Sequence, residues 1–384
     1  MMRTAMIGIA LAAACGRSEP AAGPAAESVP DPRPTWAELR KQEPPRPARP
    51  PLIEPGTPGA AVPEYARAGG TVPAELSDEV DSVLAHPQSY AGATPALRAL
   101  ASGPVAGAAA DAALAGASRL EVGRFAGGEA TLEAARRGPA RLALLAALAR
   151  GAAGQPRAAG EVALATARMG HDLARGGGLT AAMTARAIER DALGVLRALA
   201  AHPKITMPDL NEWMAQLARL AESRPPIGAA MVAEIDGTAA RILDDEQRAG
   251  VESGTHPDAA LTALLEQRKV ALDLARVADE PLPAQQSWFE GRACKVTGAE
   301  RSCKELTRYL VAAALAEANA RATQIALTAR REALGGGKPA KVLVDPITGK
   351  PFERAVADGV PVVRRGASSL DKEPGCEPRD VPLG

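Results

Sequence analysis

Between about Ala74 and Leu334 one pattern repeats: alanine and leucine recur every three or four residues, and glycine or proline stops each run. Alanine is the strongest helix former, yet its side chain buries little area. A chain written this way is confined to many helices packed closely around thin cores. The expected fold class is mainly α, either an irregular helical bundle or solenoid-like helical hairpins, with a small C-terminal β-hairpin element.

The stops place the helices. Gly138-Pro139 opens one through Leu142, Leu145 and Leu148 to Gly151. Pro156 opens the next, where Val162, Ala165, Thr166, Met169 and Leu173 keep helical spacing until Gly176-Gly177-Gly178. Thr180 to Ala200 carries Ile188, Ala192, Val195 and Leu199 on one face. After Pro203, the residues Leu210, Trp213, Met214, Leu217 and Leu220 make the clearest amphipathic stripe. Asp209 and Glu212 lie in its first turn, where carboxylates suit the positive helix end. Pro225-Pro226 introduces a helix through Met231, Ile235 and Ile242, and His256-Pro257-Asp258 another through Leu261, Leu264, Leu265 and Leu272. A last long helix spans Cys303 to Leu334. The pair 139–151 and 156–175 has a tetratricopeptide-like look, but no strict repeat of about 34 residues follows.

The flanks differ from this body. Residues 1–15 read as a bacterial lipoprotein signal: Arg3 supplies a basic start, Met6 to Ala14 a short apolar run, and Cys15 follows Leu11-Ala12-Ala13-Ala14. The run is too short to span a hydrocarbon layer of about 30 Å. Two processing routes stay open, lipidation at Cys15 or ordinary cleavage after Ala12-Ala13-Ala14, and both export the chain. Residues 16–75 are expected to form a Pro/Ala-rich disordered tether, since 14 of the 33 prolines fall between Pro20 and Pro73. Trp36-Ala37-Glu38-Leu39 is either a docking motif within it or part of a featureless tail. The helical domain is expected over residues 76–337. Residues 338–384 form a β tail, with two short strands in Ala355–Val363 turning at Asp358-Gly359.

Four cysteines remain to be placed. Cys15 belongs to the lipid, and Cys294 and Cys303 flank a polar loop that brings them together as a disulfide in an oxidising envelope. Metal binding there lacks the C-x-x-C spacing and a nearby histidine. Cys376 is left over, either free or exchanging with that pair.

Composition narrows the function classes. Lys+Arg and Asp+Glu stand at 45 each, and the aromatics number three each of Trp, Tyr and Phe. Neither a basic stripe nor a stacking platform is available, so nucleic acid is not an expected partner. No G-x-S-x-G, P-loop, H-E-x-x-H or dinucleotide fingerprint appears, and no cofactor is expected. The two glycine triplets read as helix stops. Of the four histidines, His86, His202 and His256 each precede proline. His171-Asp172, beside Arg168 and Arg175, reads as a solvent-facing or capping pair near a helix end, against a general base or metal half-site. Asp244-Asp245-Glu246 reads as a solvated helix face. Trp288-Phe289 is expected to pack beside the cysteine pair.

The tail segment Asp345-Pro346-Ile347-Thr348-Gly349-Lys350-Pro351-Phe352 resembles the C-terminal Asp-Pro-x-x-Gly-Lys-Pro segment of certain uncharacterised bacterial envelope proteins. The stretch Met169 to Gly177 with Thr180 to Leu199 is similar to their helical region. Over about twenty residues the tail is also weakly similar to major pseudopilins of type II secretion. The pseudopilins' long N-terminal apolar helix has no counterpart here, and Arg364-Arg365 stands where their tails can hold calcium. The resemblance implies an envelope location and a local fold, with no activity and no ligand.

These readings converge on a lipid-anchored cell-envelope protein, facing the periplasm or the cell surface, that acts non-catalytically as a scaffold or interaction module. Its expected partners are other envelope proteins and, through Cys15, the membrane. The alternatives are an envelope hydrolase using dispersed carboxylates such as Glu212, Glu234 and Asp236, or a secretion-associated accessory protein.

Overall fold

A computed structural model describes residues 32–39, 41, 47–123, 129–175, 177–249, 257–278, 280–295, 300–336, 342–357, 360–368 and 380–382. Within them the chain is mainly α, as its alanine-leucine periodicity dictates. The helices are Pro32–Leu39 (α1), Ala61–Ala66 (α2), Ser77–Ala85 (α3), Pro95–Ser102 (α4), Pro104–Ser118 (α5), Glu129–Ala152 (α6), Pro156–Ala174 (α7), Leu179–Ala200 (α8), Met207–Glu222 (α9), Ile227–Ala249 (α10), Pro257–Asp273 (α11), Leu282–Ala293 (α12) and Glu300–Ala333 (α13). Thr57–Ala60 (β1) pairs in parallel with Arg119–Glu121 (β2). Glu353–Ala357 (β3), Val360–Arg364 (β4) and Asp380–Pro382 (β5) form an antiparallel sheet in that order.

Most helices begin where their stops predict. Pro156 is the first residue of α7, where its missing N–H is no loss. Thr206 and Asp209 close a reciprocal capping box at the start of α9. One start is different: α6 does not open at Gly138-Pro139 but runs through it from Glu129. The expected hairpin is present as β3 and β4, with Ala355 opposite Val362, and β5 adds a third strand.

Two main cores divide the body. The first is built by α3–α9, with Leu142, Leu145, Leu164, Leu196 and Trp213 at its centre among many alanines. The second gathers Trp36, Met231, Ile235, Leu261, Phe289 and Leu310 from α1 and α10–α13. Helix α13 packs against α8 and α9, which are far from it in sequence. In a solenoid each repeat touches only its neighbours, so the irregular bundle is the architecture.

The largest departure is the stretch expected to hang free as a tether. Residues 47–75 lie on the helical body instead. Leu52 is buried and its N–H donates to the Ala117 carbonyl at 3.0 Å. Trp36, in the supposed docking motif, is 1 % exposed and sits in the second core. The physical reason is that proline removes backbone donors but keeps its carbonyl as an acceptor. The body presents arginines to those carbonyls. Residues 1–31, including the signal region and Cys15, lie outside the described residues, as does Cys376.

Among the described residues, no helix is long and apolar enough to cross a membrane.

Candidate functional site

Two neighbouring helices carry charged residues on their buried faces. On α7 these are Arg168, His171 and Asp172, which share that face with Ala165, Met169 and Leu173; on α8 they are Arg186 and Glu189, beside Ile188 and Ala192. All five are at most 9 % exposed. Buried ionisable groups need partners, and the partners come from distant parts of the chain.

The first half of the site is a clasp on the proline-rich segment. Asp172 accepts two bonds from Arg49, Nε to Oδ1 at 3.0 Å and Nη2 to Oδ2 at 2.6 Å. The Tyr65 hydroxyl donates to the same Oδ2 at 2.8 Å. Arg49 also donates to the carbonyls of Arg119 and Gly116. Arg168 donates to the Pro50 carbonyl and to Ser223 Oγ. Arg175 donates to the Pro47 carbonyl at 3.1 Å and the Ser223 carbonyl at 3.0 Å. The ring of Tyr65 is seated on Gly116 of α5, where any Cβ would collide with it.

The second half ties α7 and α8 to the loop between α9 and α10, through Arg224, and to α13. His171 Nε2 lies 3.1 Å from Glu189 Oε2. Arg224 grips both oxygens of Glu189 and reaches Glu317 of α13 with its remaining nitrogen. Glu317 accepts from Arg321 at 2.8 Å. Burial pushes the Glu189 carboxyl up, but the Arg224 guanidinium outweighs it and holds it well below the usual carboxylate range. Burial lowers the His171 imidazole and outweighs the pull of Glu189, so the ring is neutral near pH 7. Burial works against the Arg49 guanidinium, but Asp172 bonds to it and raises it. Burial, then Asp172, pushes the Tyr65 phenol well above its ordinary value.

No protein-family model, curated protein or solved structure matches this chain.

The site's geometry is a double lock. Each carboxylate in it is saturated by guanidinium groups, and its charge is spent on holding α7, α8, α13 and residues 47–65 together. His171 and Asp172 are therefore not the solvent-facing or capping pair the sequence suggested. The helix end that carries them is covered by the proline-rich segment and by Ser223. The dispersed carboxylates of the hydrolase alternative do not converge. Glu212 accepts from Gln216 at 2.9 Å, Glu234 accepts from the Leu179 N–H at 3.1 Å, and Asp236 takes Arg268 at 2.8 and 3.2 Å. Among the described residues, no group of three or more His, Cys, Asp or Glu is arranged to hold a metal ion.

Cys294 and Cys303 stand at disulfide distance, with Cα atoms 5.4 Å apart. Phe289 is fully buried in the core that holds Cys303, and Arg292 stacks over Trp288 with its guanidinium carbon 4.4 Å from the ring centre. In the tail, Asp345 is buried, and its carboxylate accepts from the Ile347 N–H at 3.0 Å and the Thr348 hydroxyl at 2.8 Å. The Asp-Pro-Ile-Thr-Gly-Lys segment is thus an Asx-type turn. It closes with Gly349 at φ 69°, a conformation that favours glycine.

Proposed function

We propose that this protein is a lipid-anchored cell-envelope scaffold, exported by its N-terminal segment and held to the membrane through Cys15, that engages other envelope proteins without catalysing a reaction. The observation that carries the non-catalytic part is the saturation of Asp172 and Glu189. A general base must have an oxygen free to take a proton, and the oxygens of both carboxylates are engaged, Asp172 by Arg49 and Tyr65 and Glu189 by Arg224. The same contacts shape a rigid body, which is what a scaffold presents to a partner. An oxidising compartment would close the Cys294–Cys303 bond that their spacing allows. The likeness of the Asp345–Phe352 turn to envelope-protein tails supports the same address.

The test combines labelling with capture. Radiolabelled palmitate incorporation is expected in the wild type and absent in Cys15→Ser. Cross-linked affinity capture from native envelopes is expected to return a reproducible partner with the wild type and to lose it with Cys15→Ser. Recovery of both forms as unlabelled soluble monomers without a partner would overturn the reading.

A further inference from the structure

We infer that two copies of this chain exchange arms: residues 32–52 of each seat on the body of the other, and Arg49 of one copy completes the buried Asp172 site of the second. This goes beyond the scaffold role and does not rest on it. Three observations lead there: how the arm is gripped, how it joins the body, and what the body lacks without it.

The grip reads the arm at separate points. Asp172 takes the Arg49 guanidinium with both oxygens, and Leu52 is buried with its N–H on the Ala117 carbonyl at 3.0 Å. A spacing of three residues sets both on one edge of an extended proline-rich chain. The main chain is held through its carbonyls, Pro47 by Arg175 at 3.1 Å and Pro50 by Arg168. Further back, Trp36 is buried in the second core, and the Leu39 carbonyl accepts from Arg268 at 3.2 Å. None of these contacts depends on arm and body sharing one chain. A second copy is the occupant that matches the groove in full, since its arm carries the same arginine, carbonyls and leucine.

The junction with the body is a loop that can open. Leu52 lies beside Ala117 and Thr57 beside Arg119. The arm therefore takes five residue steps where its neighbour takes two, and residues 53–56 are looped out, with Glu54 and Pro55 exposed. The loop is crowded at its base. A Cβ on Gly56 would lie 2.8 Å from the Pro51 ring and 2.6 Å from the end of Leu120, and the proline ring cannot swing aside. Straightened, the five steps span about 17 Å, which frees the arm to reach a neighbouring groove.

An empty groove is unfavourable. It strips buried Asp172 of the guanidinium that both its oxygens hold and exposes the seats of Trp36 and Leu52. An opened arm is therefore recaptured. Its own body is favoured in dilute solution, because the loop keeps the arm at an effective concentration in the millimolar range. A second body gains where copies crowd together, and reciprocal exchange closes a two-fold dimer. In that dimer Asp172 and Tyr65 come from one copy and Arg49 from the other.

Photo-cross-linking of the purified full chain tests this. Natural and heavy-isotope copies, each with benzoylphenylalanine in place of exposed Ala48, are mixed in equal amounts, opened in urea, refolded together at high concentration and irradiated. Mass spectrometry is expected to find cross-links from position 48 to the groove that join light to heavy copies as often as like to like. Sedimentation is expected to show a dimer whose share rises with concentration. Gly56→Val crowds the closed loop, so the dimer's share is expected to rise. Arg49→Gln removes the cation from the arm, and loss of the mixed cross-links is expected; should that variant fail to fold, the wild type and Gly56→Val decide. Cross-links confined to single isotopes at every concentration would overturn the proposal. So would a folded Gly56→Val with an unchanged dimer share, or mixed cross-links at full yield in Arg49→Gln.

Discussion

The core around α5–α9 is made mostly of alanine and leucine, whereas the core around α10–α13 takes in Trp36, Met231, Phe289 and Ile347. In the first, helices approach closely because glycines lie at the crossings. Gly160 of α7 is covered by the indole of Trp213, and Gly170 stands so near α8 that a Cβ would meet the Ala185 carbonyl at 3.0 Å. In the second, large side chains fill most of the space; Gly228 of α10 alone among its described glycines matches such a crossing, facing the Ala271 carbonyl of α11, while Gly237 and Gly291 face open surroundings. Small side chains bury little area each, so the first region gains its definition from the double lock at its edge. The second relies on bulk, with buried Arg268 paired to the part-exposed Asp236. The comparison teaches that an alanine-rich bundle can use buried charge to choose one arrangement where apolar bulk alone would leave several similar ones.

The sharpest way to break this contrast is to remove one half of the lock. Asp172→Asn leaves Arg49 buried without its anion, and urea unfolding is expected to show a loss of about 3–5 kcal/mol. A loss no larger than that of an exposed ion pair would mean that the alanine core stands without the clasp.

The second effect is smaller and reads the other half of the lock by pH. Glu189, Arg224 and Arg168 face His171, and its pKa in the folded state lies below the ordinary 6.5. As pH falls through 6.5, the unfolded chain takes up this proton before the folded one does, so stability drops with acid. Glu189, held below its ordinary 4.5, adds a further loss once the pH falls under that value. Urea midpoints at pH 7.5, 6 and 5 are expected to decline, and His171→Gln is expected to remove the first step of the decline.

Glycine substitutions sharpen the comparison by sign. Gly160→Ala forces a methyl into Trp213 and is expected to cost about 1–3 kcal/mol by overpacking. Gly237→Ala in α10 meets nothing within 4 Å and is expected to gain about 0.5–1 kcal/mol from helix propensity. Thermal midpoints of the two variants should move in opposite directions. Movement in the same direction would erase the packing difference between the regions.

Most of the helical frame was legible because its punctuation is strong: Pro156, Pro203 and Pro225-Pro226 mark breaks that packing has no reason to shift. The start of α6 was not, because proline at 139 reads locally as a first-turn residue, while the helix continues through it. The site was half legible. His171-Asp172 stood out in the chain, but their burial depends on Arg49 and Tyr65, more than a hundred residues away, in a segment whose composition reads as unfolded. A signal was nonetheless present. Asp172 and Glu189 each fall beside apolar-stripe positions of consecutive helices, next to Leu173 and Ile188. A carboxylate on an apolar stripe requires a cation, and Arg49, Arg168 and Arg224 were available to supply it.

Helix α13 offers a last consequence. It runs for 34 residues, about 50 Å at the usual rise. It contributes Cys303, Leu306 and Leu310 to one core, Ala320 and Leu327 to the other, and Ala322 and Ile325 to the underside of the sheet. Such a rod cannot lose its grip on one cluster while its register with the rest is kept. Melting should therefore travel its whole length, and the body, for all its separate hydrophobic centres, should come apart as one cooperative unit rather than region by region.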